Sequence, residues 1–235
     1  MRAFFSEAHL GHQPPEIISR GKAIPHWEVA RRADALRQAL SDGGHSIEKP
    51  ESYGLAPVAA VHDPGYLEFL ETAWQRGQEL PNPPPAVQPN AHPGRHMTGR
   101  PTDVLGQAGY YITTNSAPIV AGTWEAVQAA ADTAITAARA VLDGEDAAYA
   151  CCRPPGHHAF SDTAGGFCYL NNVAIAANDM LQELARVAIL DIDVHHGNGT
   201  QGIFYRRRDC FFVSLHGDPA EYFPFYAGYA HERGE

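Results

Sequence analysis

Three short apolar runs, at residues 147–152, 187–192 and 210–215, each break off into histidine, aspartate and glycine. Runs this short and this continuous suit strands covered on both faces, and such strands occur in parallel sheets flanked by helices. Elsewhere short apolar stretches alternate with helix-like ones, which predicts an α/β fold with a mainly parallel central sheet. Ligands of open sheets of this kind gather beyond the carboxyl ends of the strands. The stretches that follow the three runs are 153–158, 193–198 and 216–218, so the polar chemistry is expected along one edge.

The rest of the chain fills in the layers. Residues 2–5 read as a first strand and 58–61 as another. Residues 27–40 follow Pro25 and read as a helix with Val29, Ala33, Leu36 and Leu40 on one face, closed by Gly43-Gly44. Asp63 as N-cap and Pro64 in the first turn open a second helix that runs to about Trp74. Residues 81–93 hold six prolines and are expected as an irregular surface loop. The Ala-rich stretch 123–142 predicts a long helix closed by Gly144. No internal repeat divides the chain, which predicts one domain over 1–235.

Bulk properties exclude several classes. With 44% hydrophobic residues in 235, a substantial core is available and disorder is excluded. A formal charge of −10 argues against nonspecific nucleic-acid binding and is compatible with a cationic substrate. No apolar run approaches the roughly 20 residues needed to cross a bilayer. The first residues lack the apolar core of a secretory signal. The four cysteines, Cys151, Cys152, Cys168 and Cys210, show neither zinc-finger nor thioredoxin spacing. Reduced thiols and a cytoplasmic location are therefore expected.

Asp193 and His195 are two residues apart at a strand end, so their side chains can share one side. A carboxylate and an imidazole at that spacing are donors for zinc or another divalent ion, and equally a hydrogen-bonded pair that stiffens a loop. His157 and His158 follow a Pro-Pro-Gly turn and serve either as metal ligands or as proton carriers. Asp191 and Asn198 are natural partners to orient them, which favours proton transfer. The whole inventory suits metal-assisted hydrolysis.

Residues 153–159, 165–172, 191–201 and 214–219 resemble, in order, motifs of the zinc-dependent deacetylase superfamily. That superfamily holds histone deacetylases and acetylpolyamine amidohydrolases in the arginase–deacetylase fold. Residues 122–125 and 222–229 most resemble the acetylpolyamine amidohydrolase branch, and the likeness covers nearly the whole chain. It implies Asp193 and His195 as two of three zinc ligands, with His158 as general acid and base. His157 would assist while paired with Asp191, and Asn198 would be the partner of His158. The resemblance also implies Phe167 and Phe223 as walls of a narrow acyl-amine tunnel, with the Gly166 carbonyl as an acceptor there. Asp191, Asp193, His195, Ser214 and Leu215 match a structural site for a monovalent cation, K+ or Na+.

Residues 11–26 match a segment that supports dimers and restricts the tunnel, so a homodimer is among the expectations. Residues at the tunnel mouth are expected to carry acidic groups for a polyamine ammonium. Of the corresponding stretches, 101–105 and 113–116, only Asp103 is charged, and Asp also suits a helix cap. The implied substrates are an acylated small amine or an acetyl-lysine peptide. The family's third ligand, an Asp, and a Tyr in a Gly-Gly-Tyr turn have no match in the 235 residues. The chain is accordingly expected to be the N-terminal portion of a longer enzyme, with the C-terminal part of the fold absent. A non-catalytic scaffold or binding module of the same fold is the alternative. An arginase-like dimanganese hydrolase ranks below both, because 193–198 lacks the extra carboxylate after the histidine.

Overall fold

β1 (Arg2–Phe4) is the strand around which the N-terminal half assembles. In the computed structural model, which describes residues 1–234, β1 is flanked on both sides by parallel neighbours. These are β4 (Ser46–Glu48) and β5 (Ala148–Ala150), with Ala3 opposite both Ile47 and Tyr149. A second parallel ladder joins β6 (Val187–Asp191) to β7 (Cys210–Ser214), in a register that sets Asp191 opposite Ser214. The strands are thus parallel as expected but fall into two ladders. A hairpin of β2 (Glu16–Ser19) and β3 (Lys22–Pro25) stands apart from both. Its two-residue turn puts Arg20 and Gly21 at φ 50° and 73°, the paired left-handed geometry that matches the twist of a tight hairpin.

Helices cover the ladders. They are α1 (Ala30–Asp42), α2 (Ala56–Ala59), α3 (Pro64–Gln78), α4 (Val104–Tyr111), α5 (Thr123–Leu142), α6 (Asn172–Met180) and α7 (Asn198–Phe204). α3 begins as the sequence suggests: Asp63 accepts from the amides of Gly65 and Tyr66, with Pro64 in the first turn. α5 presents Ala126, Ala130, Ala131 and Ile135 to the interior, and small side chains let neighbours approach closely. At its start Gly122 has φ 73°, and an added Cβ would sit 2.8 Å from the backbone of Gly11. Only glycine satisfies both the dihedral and the gap. The main core gathers Tyr66, Phe69, Tyr111, Ile119, Ile135, Tyr169 and Leu170 between α3, α4 and α5.

Two expectations are corrected. Residues 58–61 form no strand: the backbone closes helical bonds from Ala59 to Leu55, Ala60 to Ala56 and His62 to Val58. Four apolar residues in a row do not distinguish a strand from one buried helical turn, and here Pro57 in the first turn, with Ala59 and Ala60 after Val58, favours the turn. The helix expected from residue 27 starts at Ala30. Of the face assigned to it, Ala33 is buried, while Val29 and Leu36 are exposed. Trp27 lies outside it, 57% exposed.

On β6 and β7 one set of apolar side chains faces solvent: Leu190, Phe211 and, just beyond the strands, Ile192 and Leu215 are all more than 60% exposed. Among the described residues no helix is long and apolar enough to cross a membrane.

Two buried histidines hold the layers together in their neutral form. His62 donates from Nδ1 to the Ser161 carbonyl and accepts at Nε2 from the amide of Asn171, joining the start of α3 to the cap of α6. His12 hydrogen-bonds through Nδ1 to Thr123 Oγ1. Burial pushes His62 down to about 4 and His12 down to about 3, the latter with help from nearby Arg153. Unfolded imidazoles titrate near 6.5. Their folded values being lower, the unfolded chain takes up these protons first as pH falls. Stability is therefore complete above about pH 6.5 and is lost as pH drops from there toward the folded values. At pH 5.5 the pair should cost on the order of 2–3 kcal/mol relative to pH 7.5, read as a shifted denaturation midpoint. A flat stability profile between those pH values would disprove the assignment.

Candidate active site

Arg153 sets the position of everything that follows β5. Its guanidinium is buried, with Nε donating to Glu28 Oε1 at 2.9 Å, Nη1 to the His9 carbonyl at 2.6 Å and Nη2 to the His12 carbonyl at 2.8 Å. A planar donor fork meets three acceptors at once, which a lysine ammonium on a flexible stem would not reproduce. The loop then turns through Gly156, where a Cβ would meet the amide of Asn172 at 2.5 Å, and delivers His157 and His158.

The two imidazoles lie side by side, ring centres 4.0 Å apart, but have different partners. His157 Nδ1 donates to Asp191 Oδ2 at 2.9 Å, and His158 Nδ1 donates to Asn198 Oδ1 at 2.7 Å. Both bonds place the ring proton on Nδ1 and leave Nε2 with its lone pair. His158 is buried, and that burial, together with the neighbouring His157, drives it down to about 3 against the raising effect of Asn198. It is neutral at ordinary pH and able to accept a proton. Burial alone would raise Asp191, but its bond with His157 outweighs this and holds it below the usual carboxylate range.

Beyond β6 the chain forms a tight turn. Asp193 N donates to Asp191 Oδ1, and Asp193 Oδ1 accepts from the amide of His195 at 2.8 Å. The turn brings Asp193 Oδ1 within 3.2 Å of His195 Nδ1, both side chains being half exposed. Two ligands held about 2.0–2.2 Å from a tetrahedral zinc lie about 3.3 Å apart, so this donor pair fits such an ion. Among the described residues no third His, Cys, Asp or Glu joins them in a metal-holding group. The His195 ring faces that of His158 at 6.1 Å.

Aromatic groups close the site. Phe223 meets the rings of His158 at 4.7 Å and His195 at 6.2 Å, both edge-on. Gly166 and Phe167 occupy left-handed backbone at φ 53° and 70°. A Cβ on Gly166 would run into the His158 ring and crowd Phe223, so the glycine permits the approach of these two groups. The Gly166 carbonyl accepts from Cys168 Sγ, and its amide donates to Thr114 Oγ1. Phe167 packs edge-on against His26 at 5.2 Å. Next to this turn, Ser214 Oγ bonds His216 Nδ1, and Leu215 N donates to the Asp191 carbonyl.

The structure thus brings together His157, His158, Asp191, Asn198, Asp193, His195, Gly166, Phe167 and Phe223. The Asp103 carboxylate caps α4, accepting from the amides of Leu105 and Gly106. Several contributors went unnoticed in the sequence. His26 was absorbed into an ordinary exposed loop, yet it is buried against Phe167 and bonds the Ser116 carbonyl. Glu28 gave no signal at all. Thr114 lay in the stretch 113–116, which was read only for its lack of charge.

The chain belongs to the histone deacetylase family, whose domain matches residues 26–235. It is accordingly an amidohydrolase of the deacetylase type. The acetylpolyamine amidohydrolase of Mycoplana ramosa is 45% identical over 238 residues, covering 100% of this chain and 70% of that protein. A crystal structure of acetylpolyamine aminohydrolase from Burkholderia pseudomallei superposes with a TM-score of 0.94 at 44% identity, over 100% of this chain and 68% of that one. At 23% identity, a histone deacetylase homologue from Aquifex aeolicus shares the fold with a TM-score of 0.72, over 55% of its length.

Replacing Arg153 tests the framework beneath the site. Arg153→Met leaves the Glu28 carboxylate buried without its cation and should cost about 3–5 kcal/mol. Arg153→Lys should recover only part of that loss. Denaturant melts of both variants would measure it, and a lysine variant as stable as the parent would refute the need for the fork.

Proposed function

We propose that this chain is a zinc-dependent hydrolase that removes an acetyl or other short acyl group from a linear amine. An acetylated polyamine or an acetylated lysine side chain has the required form. The observation that carries the reading is His158: a buried, neutral imidazole fixed through Nδ1 to Asn198, facing both His195 and the edge of Phe223. The relatives named above for acetylpolyamine hydrolysis, aligned along the full chain, support the amine substrate.

In this reading Asp193 and His195 hold the zinc, which would supply a Lewis acid able to polarise an acyl carbonyl and acidify water. The chain's own residues handle the proton. His158 Nε2 takes it from the attacking water, because the ring is neutral and its Nδ1 is already committed. An amide partner stabilises the resulting imidazolium less than a carboxylate would, so His158 gives the proton up readily to the departing amine. His157 stays tied to Asp191, whose charge steadies the developing positive charge on the adjacent ring. Phe167 and Phe223 supply apolar walls that suit a methylene chain and exclude water from it. The Gly166 carbonyl is an acceptor for the substrate N–H.

Asp191, Asp193, His195, Ser214 and Leu215 are assigned to a monovalent cation, K+ or Na+, with the side-by-side register of Asp191 and Ser214 in support. Two protein donors leave most of a tetrahedral site to other ligands, so zinc binding by these 235 residues should be weak.

The test is direct. His158→Ala should lower zinc-dependent hydrolysis of an acetylated amine by at least about 100-fold, the typical contribution of a positioned acid or base. Zinc content should be unchanged. Asp193→Ala should instead reduce zinc binding itself, followed by calorimetry. Hydrolysis that survives in the His158 variant would remove that residue from its role. Zinc binding that survives in the Asp193 variant would move the metal elsewhere.

A further inference from the structure

Phe223 lies in a segment, residues 216–232, that has neither helix nor strand to hold it. Its position depends on a few polar contacts. The Glu232 carboxylate takes three of them: from the amide of Gly228 at 3.1 Å, from the amide of Tyr229 at 3.2 Å, and from Gln201 Nε2. Gln201 lies in α7, one turn beyond Asn198, the partner of His158. The two amides belong to the segment itself. From there Tyr229 Oη donates to the Phe225 carbonyl at 2.8 Å, and the Phe225 amide donates to the Tyr222 carbonyl, so Phe223 is enclosed by a bonded turn.

A second contact closes the segment from the other side. His216 Nε2 donates to the Gly228 carbonyl at 3.0 Å, and its ring lies 4.4 Å from that of His196. Gly228 fits between the rings because it has no side chain: at φ 101° an added Cβ would be 2.7 Å from His196 and 2.8 Å from His216. The amide of Gly217 bonds the Val194 carbonyl in the metal turn. Among the described residues, Glu232 is thus the carboxylate seen to join the Phe223 segment to the helix orienting His158.

We infer that Glu232 is a positioning residue, acting with Gln201 as a latch that fixes Phe223 against His158 and so sets affinity for the acyl chain. The inference rests on the hydrolase reading above. Charge-assisted bonds to backbone amides are about twice as strong as neutral ones, so a single carboxylate suffices to order a short segment. The latch does not touch the reacting atoms, and Asn198 holds His158 without it. Loss of the latch should therefore weaken substrate binding and leave the chemical step largely intact.

The experiment compares Glu232→Ala, Glu232→Gln and Gln201→Ala in the full chain, loaded with zinc. In Glu232→Ala, KM for an N-acetyl diamine should rise about 10-fold while kcat changes less than about 3-fold. Exchange of the Gly228 and Tyr229 amides should accelerate by about 10-fold or more, with β6 and β7 unaffected. Gln201→Ala should move the same quantities less. Glu232→Gln, which keeps an oxygen acceptor in place, should restore most of both. Unchanged KM and unchanged exchange in Glu232→Ala would overturn the proposal, as would faster exchange spread evenly over the strands. A parent chain without turnover would refute the hydrolase reading alone, since the exchange comparison decides the latch without it.

Discussion

The buried ion pair between Arg153 and Glu28 is the contact on which the site depends. It joins three parts of the chain that are far apart in sequence: the first turn through His9 and His12, the entry to α1 through Glu28, and the end of β5. A buried pair of this kind is poor evidence for stability, because desolvation offsets much of the attraction. Its value here is directional. Five guanidinium protons in a fixed plane admit few arrangements, and the backbone immediately after Arg153 inherits that orientation as it turns toward His157 and His158.

The same chain then separates two adjacent imidazoles by environment. One faces a carboxylate that is itself held ionised, while the other is sunk deeper and faces a neutral amide. Neighbouring groups with different partners take different roles, a general means of dividing acid–base labour within one fold. The separation needs no long-range effect. It follows from which strand end lies beside which ring: β6 ends in Asp191, and α7 begins with Asn198.

Much of this was legible in the residues because strand ends are local. The runs before 153, 193 and 216 marked parallel strands, and glycine and proline punctuated the loops that carry the donors. What escaped depended on distance. Residues 58–61 have the composition of a strand, but the helical turn that Pro57 starts just before them takes them up instead. Asp103, by contrast, was readable locally: the helix cap that its residue type allows is the use its carboxylate makes at the start of α4. His26, Glu28 and Glu232 had no motif around them, and each matters through partners some 30 to 140 residues away. A hairpin turn at Arg20-Gly21 was less expected still, since its first position takes a left-handed conformation in a residue that rarely adopts it.

The outward side of β6 and β7 has a bearing on how the molecule behaves in a tube. Leu190, Ile192, Phe211 and Leu215 form a greasy stripe along strands whose outer backbone is unshielded, and surfaces of that type recruit one another as concentration rises. Light scattering or sedimentation on these 235 residues will consequently register stripe-to-stripe sticking along with any specific pairing. Dilution series and mild surfactant are the means of telling one from the other.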